Sequence, residues 1–174
     1  TKAPVDRMSD LEGLKMRAYS PSTSRLADLM NTTPTTVQVP EIPQAFSTGI
    51  IDAMITSPST GANGQAWDYV SHYTDIKAWI PKNVVVVNKR AFRRLSDEQQ
   101  QVILDAAAAA EMKGWDGVRV TAAEDTATLA ENGIEVSEPS EQLMQEFQKI
   151  GDIMIQEWEE EAPKEVGTIL QNYR

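Results

Sequence analysis

The chain has no cysteine and a single histidine, His72, among its 174 residues. The first absence excludes disulfides and a thiol nucleophile, and the two together leave no His/Cys set from which a transition-metal site is built. Missing cysteine does not assign a compartment, because many exported proteins also lack it. No glycine-rich loop of the phosphate-cradling kind follows any strand pattern. No apolar run is long enough to span a bilayer, and no N-terminal signal peptide is evident. Positive charge is scarce as well: 16 Lys and Arg face 26 Asp and Glu, a formal net charge of −10. That sign argues against nucleic acid as a partner.

What is present is a composition that folds. Hydrophobic residues make up 41% and charged residues 24%, enough to bury a core, and the length suits one domain or one and a fraction. Residues 1–95 hold 11 Lys and Arg against 8 Asp and Glu, a balance of +3, whereas residues 96–174 hold 5 against 18, a balance of −13. The first half is therefore the better host for a small anion, and the second reads as solvated helix surface. The chain opens on Thr1 without a Met, so processing or truncation is expected.

One stretch organises the rest. Leu14, Met16 and Ala18 alternate with Lys15, Arg17 and Tyr19 before a Ser20-Pro21 turn, the period-two pattern of a strand. Arg17 then sits near the C-terminal end of that strand, where open α/β sheets bind their ligands. Its guanidinium offers a charged planar fork that pairs with a carboxylate through two parallel hydrogen bonds. The plainer alternative is an arginine paired with an acidic neighbour on a sheet edge.

Around it the pattern alternates. Residues 22–31 have helical spacing, Thr35–Val39 is β-branched between prolines, Glu41–Ser47 suits a short helix, and Ile50–Ile55 reads as a strand buried on both faces. Strand, helix, strand, helix, strand implies an α/β domain. Thr56 and Ser57 follow the buried strand and can bond a carboxylate or a ligand hydroxyl, or simply turn the chain and cap a helix over about 64–71. Val84–Val87 reads as the clearest strand, flanked by Trp79 and Asn83, with Trp79 as either core or the apolar wall of a cleft. Ser96-Asp97-Glu98-Gln99 is a capping box that starts a long helix ending at Asn132-Gly133. A short strand over 134–137 and a helix capped by Ser140 follow, and a last helix is expected from Pro163.

Enzyme chemistry is thin. His72 is expected exposed at a helix end, the acidic residues 157–161 form a helix face instead of a cation loop, and Asp52 is a general base at most, more usually a partner of a backbone turn.

Four ordered stretches, Leu11–Arg17, Thr48–Ala53, Val84–Phe92 and Leu95–Gln100, together resemble the extracytoplasmic solute-binding proteins of TRAP (tripartite ATP-independent periplasmic) transporters. The resemblance implies a periplasmic-binding-protein type two-lobed α/β clamp, of which this chain carries mainly the second lobe plus a crossover strand and long helix. It implies a division into a ligand-binding region (1–82), a crossover strand and helix that would pack on a first lobe (83–132), and a C-terminal strand and helices (133–174). By position it assigns Arg17 to the ligand carboxylate, with Ser20 and Ser57 at contact places; Thr56, Trp79 and Asn83 complete the candidate ligand-binding set. The family often has an amide side chain near Ser57 and a phenylalanine near Val39 or Pro40. The departures here, with Trp79, lean toward a monocarboxylate with an apolar or aromatic body.

The resulting expectation is a periplasmic binding protein, not an enzyme, without cofactor or metal, that hands a small carboxylate ligand to membrane permease subunits. If a first lobe is absent, the surface from Val84 to Ala110 is expected to self-associate. The alternative from another class is the effector-sensing domain of a transcription regulator, which uses a similar two-lobed fold. A hydrolase or transferase would need an activated nucleophile, and the sequence offers none.

Overall fold

A computed structural model describes residues 1–78, 81 and 83–162. Its centre is a three-stranded parallel sheet in the order β2-β1-β3. The strands are β1 (Lys15–Ala18), β2 (Thr33–Thr36) and β3 (Ala53–Met54). In register, Arg17 lies opposite Thr35 on one side and Met54 on the other. The strand read around Arg17 is thus the central one.

Helices follow each strand. α1 (Pro21–Leu29) starts at Ser20, whose hydroxyl accepts the N–H of Thr23 while Pro21 fills the first turn. A 3-10 turn, Val39–Glu41, leads into α2 (Ile42–Ser47), and α3 (Pro58–Asn63) starts at Ser57. Gly49, at φ +70°, makes the left-handed turn between α2 and β3. Two short strands, β4 (His72–Thr74) and β5 (Glu135–Ser137), pair in parallel as a second sheet. Between them run α4 (Lys89–Phe92) and α5 (Asp97–Glu131), and α6 (Glu141–Glu161) closes the described chain.

Two apolar clusters flank the main sheet, as a parallel sheet requires. Met16 and Ala53 pack with Leu26, Ala27 and Met30 of α1 and with Leu143, Phe147 and Ile150 of α6. Val37 and Ile51 pack with Phe46, Ala66, Val70 and Leu129. α6 is tied on by polar contacts also: Arg25 Nε donates to both carboxylate oxygens of Glu157, at 3.2 and 3.0 Å, and Met8 N–H donates to Glu146 at 2.6 Å.

The α/β reading holds, as do the capped starts of α5 and α6, and several local expectations are corrected. β2 begins at Thr33 and includes Pro34; it is an edge strand, where a missing N–H costs no ladder bond. Only Ala53–Met54 of the Ile50–Ile55 run is strand. The helix expected over about 64–71 lies earlier, at Pro58–Asn63, followed by a 3-10 turn at Ala66–Asp68. His72 is on β4, not at a helix end, with Nε2 3.4 Å from Glu135. Val84–Val87 pairs with no described strand and is exposed, Val85 fully so. Valine content favours a pleated surface, but a strand exists only with a neighbour to complete its hydrogen bonds.

The first two-thirds of α5 share that condition. Val102, Met112, Trp115 and Val118 are more than half exposed, and the helix is held mainly at its C-terminal end. There Leu129 is buried against Gly61, and the Ser59 hydroxyl donates to Asp125. Trp79 and the helix expected from Pro163 lie outside the described residues.

Candidate functional site

The site is built on the C-terminal edge of the main sheet. Period-two alternation sends Met16 and Arg17 to opposite faces, Met16 into the α1/α6 cluster and Arg17 toward Val37. Arg17 as a residue is 4% exposed; its guanidinium donates the Nε–H to the carbonyl of Val37 at 2.9 Å and lies over the ring of Tyr19 at 4.8 Å from the centroid. Burial lowers its pKa, and the Tyr19 and Tyr69 hydroxyls oppose that shift. An arginine keeps its proton under such a shift, so the charge stays.

No carboxylate pairs with this charge among the described residues. Within the described residues, then, Arg17 is not in an ordinary ion pair with an acidic neighbour. Neither Nη group has a hydrogen-bond partner there, and no fully buried side-chain nitrogen or oxygen lacks one. The two Nη groups therefore keep access to the outside. A buried, permanent charge without a counterion is costly.

A second tyrosine acts on the arginine electrostatically. Tyr69 stacks on Phe46 with centroids 4.8 Å apart and donates its hydroxyl to Gly64 O at 3.3 Å. Its pKa is raised by burial, with Asp68 adding to the shift and Arg17 opposing it, which puts the hydroxyl within the field of the guanidinium.

The candidate hydroxyls sit on the same sheet edge, because β1 and β3 are neighbours and both run toward it. Ser20 is half-buried and Ser57 exposed, and each caps a helix: Thr23 N–H donates to Ser20 Oγ at 3.2 Å and Thr60 N–H to Ser57 Oγ at 3.1 Å. Both hydroxyls thus have a structural job. Thr56 is half-buried on the connection from β3 to α3. Asn83 is exposed and makes no hydrogen bond to these strand-end residues; Trp79 is outside the described part. Tyr19, Tyr69 and the Val37 carbonyl complete the surroundings of Arg17. Tyr19 was visible in the alternation, whereas Tyr69 and Val37 come from separate elements with no shared local pattern.

Lys15 and Asp52 are used internally. Asp52 accepts the N–H of Lys15 at 3.1 Å and faces its ammonium at 3.6 Å, while that ammonium also donates to Gly49 O. Asp52 is therefore a backbone partner and not a free base. Among the described residues no group of His, Asp and Glu could hold a metal ion, and no helix is long and apolar enough to cross a membrane. A surface depression lined by Pro4, Asp6, Arg7, Asp10, Ser140 and Gln142 takes in none of the candidate residues.

Comparison with known proteins gives these surroundings a context. The family profile of the bacterial extracellular solute-binding proteins, family 7, matches residues 1–161. An extracytoplasmic solute receptor of Bordetella pertussis binding pyroglutamic acid superposes with a TM-score of 0.96 at 52% identity, over 100% of this chain and 58% of that one. A second Bordetella pertussis receptor binding pyroglutamic acid gives 0.88 at 37%, over 91% and 53%. A marine metagenome TRAP solute-binding protein specific for pyroglutamate gives 0.93 at 29%, over 99% and 57%. The chain thus spans between half and three-fifths of the length of these proteins.

Proposed function

The chain belongs to the bacterial extracellular solute-binding protein family 7, and from that membership we propose that it carries the carboxylate-gripping part of a TRAP receptor for pyroglutamate or a monocarboxylate of similar compact shape. The single observation that carries this reading is Arg17: a buried guanidinium at the end of the central strand, with no acid paired to it among the described residues.

Pyroglutamate is a five-membered lactam with one carboxylate. Its two carboxylate oxygens suit the two unengaged Nη groups of Arg17 as a bidentate pair. Its flat, mostly apolar ring suits an edge furnished with Tyr19 and Tyr69. Ser20, Thr56 and Ser57 offer hydroxyls at the same edge, with Trp79 and Asn83 as the remaining candidates for the wall. The other cationic side chain of β1, Lys15, is already engaged by Asp52 and Gly49. Among the described residues no free cation lies beside Arg17 for the second charge of a dicarboxylate, which favours a monocarboxylate.

On this reading residues 1–82 are the ligand-binding region, 83–132 the crossover, and 133–174 the closing helices, and closure of a hinge around the shared ligand completes the site. The receptor works in the periplasm, performs no chemistry on its ligand, and passes it to the membrane permease subunits. The chain taken alone self-associates through the exposed apolar surface of Val84 to Ala110.

The test is a thermal-shift and calorimetric screen of the full-length gene product against pyroglutamate, proline, succinate and malate. At a pyroglutamate concentration a hundred times Kd, binding stabilises by about 2.7 kcal/mol, and succinate and malate give smaller shifts. Absence of a shift with every carboxylate would overturn the proposal.

A further inference from the structure

Arg17 and Tyr19 are two residues apart along one extended segment, so alternation puts both side chains on one face. The guanidinium carbon lies 4.8 Å from the centre of the Tyr19 ring, within cation–π range. The backbone that carries the ring is anchored, because the Tyr19 N–H donates to Thr23 Oγ1 at 2.9 Å and the same oxygen accepts Ser20 N–H at 2.9 Å. Thr23 is buried in the first turn of α1, so the helix start fixes the backbone from which Tyr19 projects.

Arg17 is thereby restrained from two directions by neutral groups. The Val37 carbonyl takes the Nε–H, and the Tyr19 ring lies beneath the guanidinium carbon at 4.8 Å. Neither group consumes an Nη donor, and neither neutralises the charge. A carboxylate of the protein in the same place would do both, and the arriving ligand would have to displace it.

We propose that Tyr19 is a positioning residue for ligand capture: its ring face holds the Arg17 fork in the orientation that a carboxylate meets edge-on, without competing for the charge. The proposal rests on Arg17 being the carboxylate grip. It assigns the role to the ring and not to the hydroxyl, so phenylalanine should serve and a ringless side chain should not. Without the ring, the arginine regains freedom that the ligand must then remove on binding, and affinity falls.

The experiment compares pyroglutamate binding to the full-length protein, by calorimetry, for wild type, Tyr19→Phe, Tyr19→Leu, Tyr19→Met and Arg17→Ala, with each unfolding midpoint measured in parallel. Tyr19→Phe should bind like wild type. Tyr19→Leu and Tyr19→Met should each weaken binding by about tenfold; methionine reaches as far as the ring and adapts to gaps, so it guards against a folding defect in the leucine variant. Unchanged unfolding midpoints in the ringless variants separate positioning from a general loss of packing, and phenylalanine separates the ring from the hydroxyl. Two results would overturn the role: ringless variants that bind as wild type while Arg17→Ala does not, or a Tyr19→Phe variant as weak as the ringless ones, which would make the hydroxyl a direct ligand contact. Wild-type binding by Arg17→Ala would instead remove the reading on which this inference stands.

Discussion

Arg17 donates its Nε–H to the carbonyl of Val37 at 2.9 Å, a bond that ties the central strand to the chain leaving the edge strand β2. The bond uses the one guanidinium donor that lies along the side-chain stem and leaves the outer pair unspent. Lysine keeps the charge but has neither that donor nor the fork. Arg17→Lys should therefore bind pyroglutamate at least about tenfold more weakly than wild type by calorimetry. Wild-type affinity in the lysine variant would mean that charge alone suffices.

α6 holds to the sheet through Leu143, which is fully buried beside Met16 and Leu26, whereas the adjacent Met144 is 41% exposed. Leu143→Ala should cost about 2–5 kcal/mol of unfolding free energy in urea, by lost burial plus the cavity left behind. Met144→Ala should cost well under that. Equal costs would contradict the packing described.

Acid should loosen the same interface. Backbone N–H donation from Met8 lowers the pKa of Glu146 below its ordinary 4.5, the Arg25 hydrogen bond does the same for Glu157, and the Asp6 N–H lowers Asp10 below 3.8. Groups with depressed folded values stabilise the fold above their unfolded values and lose that contribution as pH falls through the folded ones. The urea midpoint should fall as pH drops below about 4.5, and Glu146→Gln or Glu157→Gln should flatten that fall. A midpoint rising with acid would contradict the assignment.

The exposed run Val84–Val87 and the apolar side chains on the first part of α5 form the largest uncovered hydrophobic feature among the described residues. Sedimentation of this 174-residue chain should show concentration-dependent association. Trp115→Lys, at a position two-thirds exposed, should weaken association without lowering the unfolding midpoint. A chain that stays monomeric at every concentration would show that these side chains are covered otherwise.

The parts of this molecule legible in its sequence are those set by near neighbours. Period-two alternation around Arg17, the Ser96 and Ser140 caps, and the Asn132-Gly133 stop are local signals, and the elements they mark are present. What was hidden depends on distant partners. His72–Thr74 becomes a strand only because Glu135–Ser137 lies beside it, and Val84–Val87, the strongest strand former by composition, has no described neighbour and forms none. The site divides in the same way. Arg17 and its face-mate Tyr19 could be read from spacing, while the Val37 carbonyl bonds the guanidinium from another element and the Tyr69 hydroxyl acts on its charge from a third. Ser57 is ambiguous in sequence between ligand contact and helix cap, whereas Ser20 reads there as a turn residue and a ligand contact; in the structure both cap helices.

The account is tested most directly by titrating pyroglutamate, and separately its uncharged amide, into the full-length protein and its Arg17→Ala variant by calorimetry. It predicts tight binding of the acid to wild type, a loss equivalent to roughly 2–5 kcal/mol in the variant, and weak binding of the amide to both. Equal affinity of wild type and variant for the acid, or an amide that binds wild type as well as the acid does, would contradict it.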